Sequence, residues 1–234
     1  MTTINWAAKA TEIRATLDGR AFINGVRVNA IDGATFDCIS PLDGRKLVDV
    51  ARCTVADVNE AVKISRAAFE DGRWAHLSPK KRKETLIKFA DLIVANKHEL
   101  AVTETLDMGK PVANALAVDV NAAQNTIRWF GEAIDKIYDE VAPTPRDSLA
   151  LITREAVGVV AAVVPWNYPL LMTSWKIAPA LAMGNSVILK PSEKSPLTAL
   201  RLAELALEAG IPAGVFNVVT AYGHEAGAAV PAPN

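Results

Sequence analysis

The sequence predicts an α/β protein: an incomplete Rossmann-type parallel sheet in the order β-α-β-α-β, with an N-terminal helical layer and a protruding β arm. Three observations predict it. Val159–Val164, Val187–Leu189 and Val215–Val219 are apolar at nearly every position, and strands that read as unbroken apolar runs are those buried on both faces of a parallel sheet. Between them, Leu170–Met183 and Leu197–Ala209 read as helices, the first closed by Gly184-Asn185, the second opened by Ser195-Pro196 and closed by Gly210. Upstream, apolar residues recur at helical steps through most of the first half.

The 234 residues are 50% hydrophobic, with 25 Lys+Arg against 26 Asp+Glu. Such a chain can bury a sizeable core, and its near-neutrality argues against a general affinity for nucleic acid or anionic membranes. The one basic run, Lys80-Lys81-Arg82-Lys83, opens a helix and is expected to be a solvated face. Cys38 and Cys53 lack CxxC spacing and His neighbours, so neither a metal site nor a disulfide framework is expected. The N-terminus lacks the apolar core of a signal peptide and no run approaches the ~18 residues of a membrane span, so a cytoplasmic protein is expected.

In chain order, a short helix precedes Phe22-Ile23-Asn24-Gly25-Val26, which has strand-turn character. Ala34–Ile39 alternates like a strand turning at Pro41-Leu42-Asp43-Gly44, with a second strand at Leu47–Val50. Cys38 and Cys53 fill small spaces here, since nothing beside them would lower a thiol pKa. Thr54 and Asp57 form a capping box for a helix that ends at Asp71-Gly72. Ser78-Pro79 opens the next helix, which runs with a break to Leu106 and stops at Met108-Gly109-Lys110-Pro111. A third helix places Leu116, Val120, Ala123, Ile127, Phe130, Ile134 and Ile137 on one face. The Pro-rich stretch from Asp139, followed by weak alternation over Leu149–Glu155, reads as an exposed arm of the kind that lends its edge to another chain. The expected organisation is 1–138 for the N-terminal strands and helices, 139–157 for the arm and 158–234 for the partial nucleotide-binding core.

Three strand ends converge where open parallel sheets bind ligands. They carry Pro165-Trp166-Asn167-Tyr168-Pro169, Lys190-Pro191-Ser192-Glu193 and Ala221–Gly227. An Asn amide held between two prolines is a rigid donor of the kind an oxyanion needs, although the same amide could bond its own turn. Lys190 as donor and Glu193 as acceptor suit ribose hydroxyls; the alternative is a solvated ion pair. Gly223 and Gly227 would let backbone approach a ligand. No Gly-x-Gly-x-x-Gly occurs.

From about Gly19 to Ala229 the chain resembles the N-terminal half of the aldehyde dehydrogenase family. The motifs that carry the resemblance are Phe22-Ile23-Asn24-Gly25, Glu104-Thr105-Leu106-Asp107-Met108-Gly109-Lys110-Pro111, Val164-Pro165-Trp166-Asn167-Tyr168-Pro169, Gly184-Asn185 and Lys190-Pro191-Ser192-Glu193. Glu132–Tyr138 and Lys190–Pro196 are most similar to bacterial γ-glutamyl-γ-aminobutyraldehyde dehydrogenases. The resemblance implies NAD-dependent oxidation of an aldehyde to an acid. It places Asn167, with Lys176 nearby, in the catalytic set. Val163, Val164, Pro165 and Trp166 would line the nicotinamide and its ribose, and Lys190, Ser192 and Glu193 would hold the adenine ribose. Gly223 and Gly227 would sit by the adenine and pyrophosphate, and Tyr168, Met172 and Trp175 would wall the aldehyde tunnel. A Glu at 193 favours NAD over NADP, whose 2′-phosphate it would repel.

Family catalysis also needs a cysteine nucleophile and a glutamate base, and the resemblance assigns neither to this sequence. The expectation is therefore a truncated form lacking the catalytic domain and inactive alone, with the 139–157 arm as the site through which a homo-oligomer could form. Ala221 stands where the family usually has Gly, and Val230–Asn234 is not expected to continue a helix. Two other readings stay open: a non-catalytic nucleotide-binding or interaction module, and a gene remnant whose sheet edge is exposed.

Overall fold

In a computed structural model, residues 4–227 are described; Val230–Asn234 lie outside them. The sheet is mixed rather than purely parallel. β1 (Ala21–Ile23) and β2 (Val26–Val28) form a hairpin, β3 (Thr35–Ile39) and β4 (Lys46–Ala51) a second one, and β5 (Glu140–Ala142) and β6 (Ala150–Ile152) the arm. β7 (Val159–Val163), β8 (Ser186–Lys190) and β9 (Phe216–Val218) are parallel, and β1 joins β9 antiparallel, so the order is β2-β1-β9-β8-β7. The first hairpin thus covers one edge of the parallel strands. Its turn is tied to β9 by Asn217, whose buried carboxamide accepts from Asn24 N–H at 2.8 Å and donates to Ser65 Oγ and Gly214 O, each at 2.8 Å.

The helices are α1 (Trp6–Arg14), α2 (Val55–Glu70), α3 (Pro79–Ala95), α4 (Lys97–Met108), α5 (Asn121–Ala133), α6 (Pro169–Ala182) and α7 (Leu197–Ala209). Strand alternation sends Val187 and Leu189 to one face with Leu170, Ile177 and Leu200, and Ile188 to the other with Val58 and Ala61 of α2. The layers are therefore α2, the sheet, α6 with α7, and an outer layer in which α5 packs on α6, and α3 packs on α5 and α7. At the start of α2 the Asp57 carboxylate accepts from Thr54 N–H and Oγ1–H at 2.7 and 2.8 Å, the return half of the expected box. Its other oxygen reaches Ile31 N–H at 2.8 Å.

The break expected between Ser78 and Leu106 falls at Asn96, where α3 meets α4, and Gly109 ends α4 with φ +83°. Four expectations are corrected. β7 is not buried on both faces: Ala161 and Val163, which share one face, are exposed, Val163 by 55%, while Ala162 on the other face is buried. The third helix is not one regular helix but starts as a turn (Val112–Asn114) and a π-helical segment (Ala115–Val120). Ile137 leaves its face, extended and exposed, because the chain unwinds after Lys136 toward the arm. The basic run is not wholly solvated: Arg82 turns inward to donate to Ala75 O at 3.1 Å and Ala182 O at 3.3 Å, the latter an end carbonyl of α6.

Candidate functional site

β7 and β8 run parallel with Val163 opposite Lys190, and Val164 N–H donates to Lys190 O at 3.1 Å. Both strands therefore release their following loops on the same side of the sheet. The first loop, Pro165–Tyr168, is exposed, while Val164 beneath it is buried. Among the described residues the Asn167 carboxamide makes no hydrogen bond, so it is not engaged by its own turn. The second loop is joined to the first by Ser195, whose hydroxyl donates to Trp166 O at 3.1 Å. Ser192 caps its own loop, accepting from Lys194 N–H at 3.3 Å.

Lys190 is only 3% exposed, and its ammonium meets Glu193 Oε2 at 3.2 Å. The solvated-pair alternative does not describe it. Burial pushes the Glu193 carboxyl up, but bonds from its own N–H and from Lys190 outweigh that and hold it below the usual range. A cavity of about 510 Å³ opens beside it, lined by Phe36, Ile39, Asp107, Trp166, Glu193 and Tyr222 among others, a volume suited to part of a small-molecule ligand. On its far side Tyr222 packs against Phe36 with centroids 5.0 Å apart, and Arg52 is paired with Glu225 in the turn Gly223–Gly227. A Cβ at Gly223 would meet nothing within 4 Å, so that glycine leaves open space.

Not all the expected residues converge. Trp175 and Lys176 line a separate hollow on the α5–α6 face with Trp129 and Phe130. Tyr168 lies on the near side of the turn, its ring 3.8 Å from Lys110 Nζ, which also donates to both oxygens of buried Asp119 at 2.7 and 2.8 Å. Met172 is half-buried in α6. Cys38 and Cys53 are both buried free thiols. Burial and the Asp107 carboxylate push the Cys38 thiol far above its ordinary range, and burial raises Cys53 to about 11.

Sequence patterns did not single out Glu104 and Asp107, both on the inner face of α4 and at most 1% exposed. Burial pushes Glu104 up to about 8 and Asp107 up to about 7, against the lowering effect of the bonds each accepts. Two acids one turn apart on the apolar side of an amphipathic helix are the signal that could have revealed them.

The sequence matches the aldehyde dehydrogenase family over residues 28–232, and the chain belongs to that family. It is 53% identical over 225 residues to the NADP/NAD-dependent aldehyde dehydrogenase PuuC of Escherichia coli K12, covering 96% of this chain and 45% of that protein. The chain thus spans about half the length of the curated relatives it matches. Among solved structures it is similar to the γ-glutamyl-γ-aminobutyraldehyde dehydrogenase of Burkholderia cenocepacia (TM-score 0.91, 55% identity, 95% of this chain and 45% of that one). It is also similar to the P. syringae indole-3-acetaldehyde dehydrogenase AldA, solved in complex with NAD+ and IAA (TM-score 0.95, 57% identity, 97% and 46%).

Proposed function

We propose that this chain forms the cofactor-binding portion of an NAD-dependent aldehyde dehydrogenase, which oxidises an aldehyde to a carboxylic acid. The observation that carries the reading is the pair of buried Lys190 and half-buried Glu193 at the end of β8, with Ser195 of the same loop bonded to the Trp166 turn at the end of β7. The donor set fits a nucleotide. An ammonium has three donors and Glu193 takes one, so Lys190 can donate to a ribose hydroxyl while Glu193 accepts from the diol. Ser192 completes that loop, Val163 to Trp166 line the nicotinamide side, and Gly223 and Gly227 leave room by the adenine and pyrophosphate. Held there, NAD would supply the hydride acceptor.

Asn167 stabilises the developing oxyanion through its free amide, a role that needs a donor uncommitted to the fold. Tyr168, Met172 and Trp175 border the path of the aldehyde, with Lys176 beside it. An ionised Glu193 repels a 2′-phosphate and so favours NAD over NADP; the relative PuuC carries both cofactors in its name. The 234 residues by themselves oxidise no aldehyde, since a thiolate is the nucleophile and both thiols here are buried and raised. The arm pairs copies of the chain: Val141, Leu149, Leu151 and Ile152 are all more than half exposed on it. No described helix is long and apolar enough to cross a membrane, and the cytoplasm is the proposed location.

The test is a titration of the purified chain with NAD and with NADP, following Trp fluorescence, for the wild type and Glu193→Gln. The reading expects NAD to bind more tightly and the variant to narrow the gap. Equal affinities in both proteins would remove the role given to Glu193. Turnover of an aldehyde with NAD by the same sample would refute the claim of inactivity.

A further inference from the structure

The two acids of the segment Glu104–Pro111 are given no role above in holding nucleotide or aldehyde, yet they reach the starts of both helices that follow the loops of the cleft. Glu104 Oε1 accepts the N–H of Leu170, the second residue of α6, at 3.3 Å, and its Oε2 accepts the hydroxyl of Thr198 in α7 at 2.8 Å. Asp107 Oδ2 accepts the N–H of Leu197, the first residue of α7, at 2.8 Å, and its Oδ1 accepts from the Cys38 thiol at 3.0 Å. The first N–H groups of a helix have no partner within it. At both starts the residue in the cap position, Tyr168 or Pro196, makes no side-chain cap bond. A neighbouring helix therefore supplies one acceptor at each start, from positions three residues apart on one face. Farther along the same motif, Lys110 lies against the Tyr168 ring and is anchored on Asp119.

Each helix start is also the fixed end of one loop of the cleft. The Trp166–Tyr168 turn runs directly into α6, and the loop after Lys190 runs directly into α7. We propose that Glu104 and Asp107 are positioning residues that clamp the two lips of the cleft, Glu104 the Asn167 lip through Leu170 and Asp107 the Lys190–Glu193 lip through Leu197. The link to catalysis rests on the nucleotide reading of the cleft. The clamp itself does not, because it is defined by which amides each acid holds.

Amide hydrogen exchange on the 234-residue chain, read by mass spectrometry over 166–172, 186–190 and 195–199, tests it. Glu104→Ala is expected to speed exchange about tenfold in the first segment, and Asp107→Ala about tenfold in the third, as the loss of an acceptor for a buried N–H requires. Asp107→Ala leaves the first segment unchanged, and β8 stays slow in both. Glu104→Gln and Asp107→Asn keep an acceptor oxygen and restore slow exchange, which also decides the matter should the alanine variants unfold. Calorimetry with ADP-ribose on the same proteins should show a several-fold weaker affinity for Asp107→Ala than for Glu104→Ala. Exchange that quickens equally in all three segments, or in none, overturns the clamp. A wild type that binds no ADP-ribose while exchange divides by lip overturns the nucleotide reading and leaves the clamp standing.

Discussion

Replacing Asp107 by Asn removes a titrating group while keeping its shape and its acceptor for Leu197 N–H. In the folded chain burial pushes Asp107 from the ordinary 3.8 up to about 7. Between those values the folded state holds a proton that the unfolded chain has released. A raised folded pKa therefore contributes stability that is complete below about pH 4 and is lost as pH rises through about 7, at about 1.4 kcal/mol per pH unit. Over that gap the total approaches about 4 kcal/mol, a large share of the ~5–15 kcal/mol of a typical domain. Asn cannot lose it. Urea midpoints measured at pH 5, 6, 7 and 8 should fall with pH in the wild type and fall much less in Asp107→Asn, so that the variant gains on the wild type by about 2–3 kcal/mol between pH 5 and 8. A residual slope remains in both proteins, because burial raises Glu104 as well, to about 8. Parallel profiles for the two proteins would refute the reasoning, since they would mean that Asp107 is ionised and solvated in the fold.

Other perturbations test other joints. Trp74→Phe removes the indole donor that meets Leu181 O at 2.9 Å in a buried contact, and thermal unfolding should show a loss of about 1–3 kcal/mol. Gly109→Ala puts a Cβ at φ +83° and 3.1 Å from Pro41 Cγ, with an expected cost of about 1–2 kcal/mol by chemical denaturation. On the arm, Leu151→Asp should lower the sedimenting mass of any assembly without moving the unfolding midpoint; an unchanged mass would exclude the arm from it.

The second half of the fold was legible because its signals are local. The apolar runs, Ser195-Pro196, Gly184 and Gly210 mark strands and helix ends wherever the chain is met, and α6, β8, α7 and β9 lie where those marks place them. What stayed hidden depends on distant partners. The pairing of β1 with β9 joins residues nearly two hundred positions apart through one buried Asn, and no periodicity encodes it. β7 reads as a strand buried on both faces because its residues are apolar, yet burial is decided by neighbours, and the face that carries Ala161 and Val163 is left exposed. Within the site, Lys190 and Glu193 were legible as a donor and an acceptor at a strand end, whereas the burial of Lys190 was not. Glu104 and Asp107 were visible only as part of a motif, because the amides they hold belong to helices 66 and 90 residues away.

The most direct measurement is a calorimetric titration of the 234-residue chain with NAD, repeated with Lys190→Ala. If the ends of β7 and β8 form a nucleotide site, the wild type binds NAD and the variant, stripped of its buried donor, binds about tenfold or more weakly. A wild type that binds NAD with an affinity unchanged by Lys190→Ala, or that gives a flat titration, would contradict it.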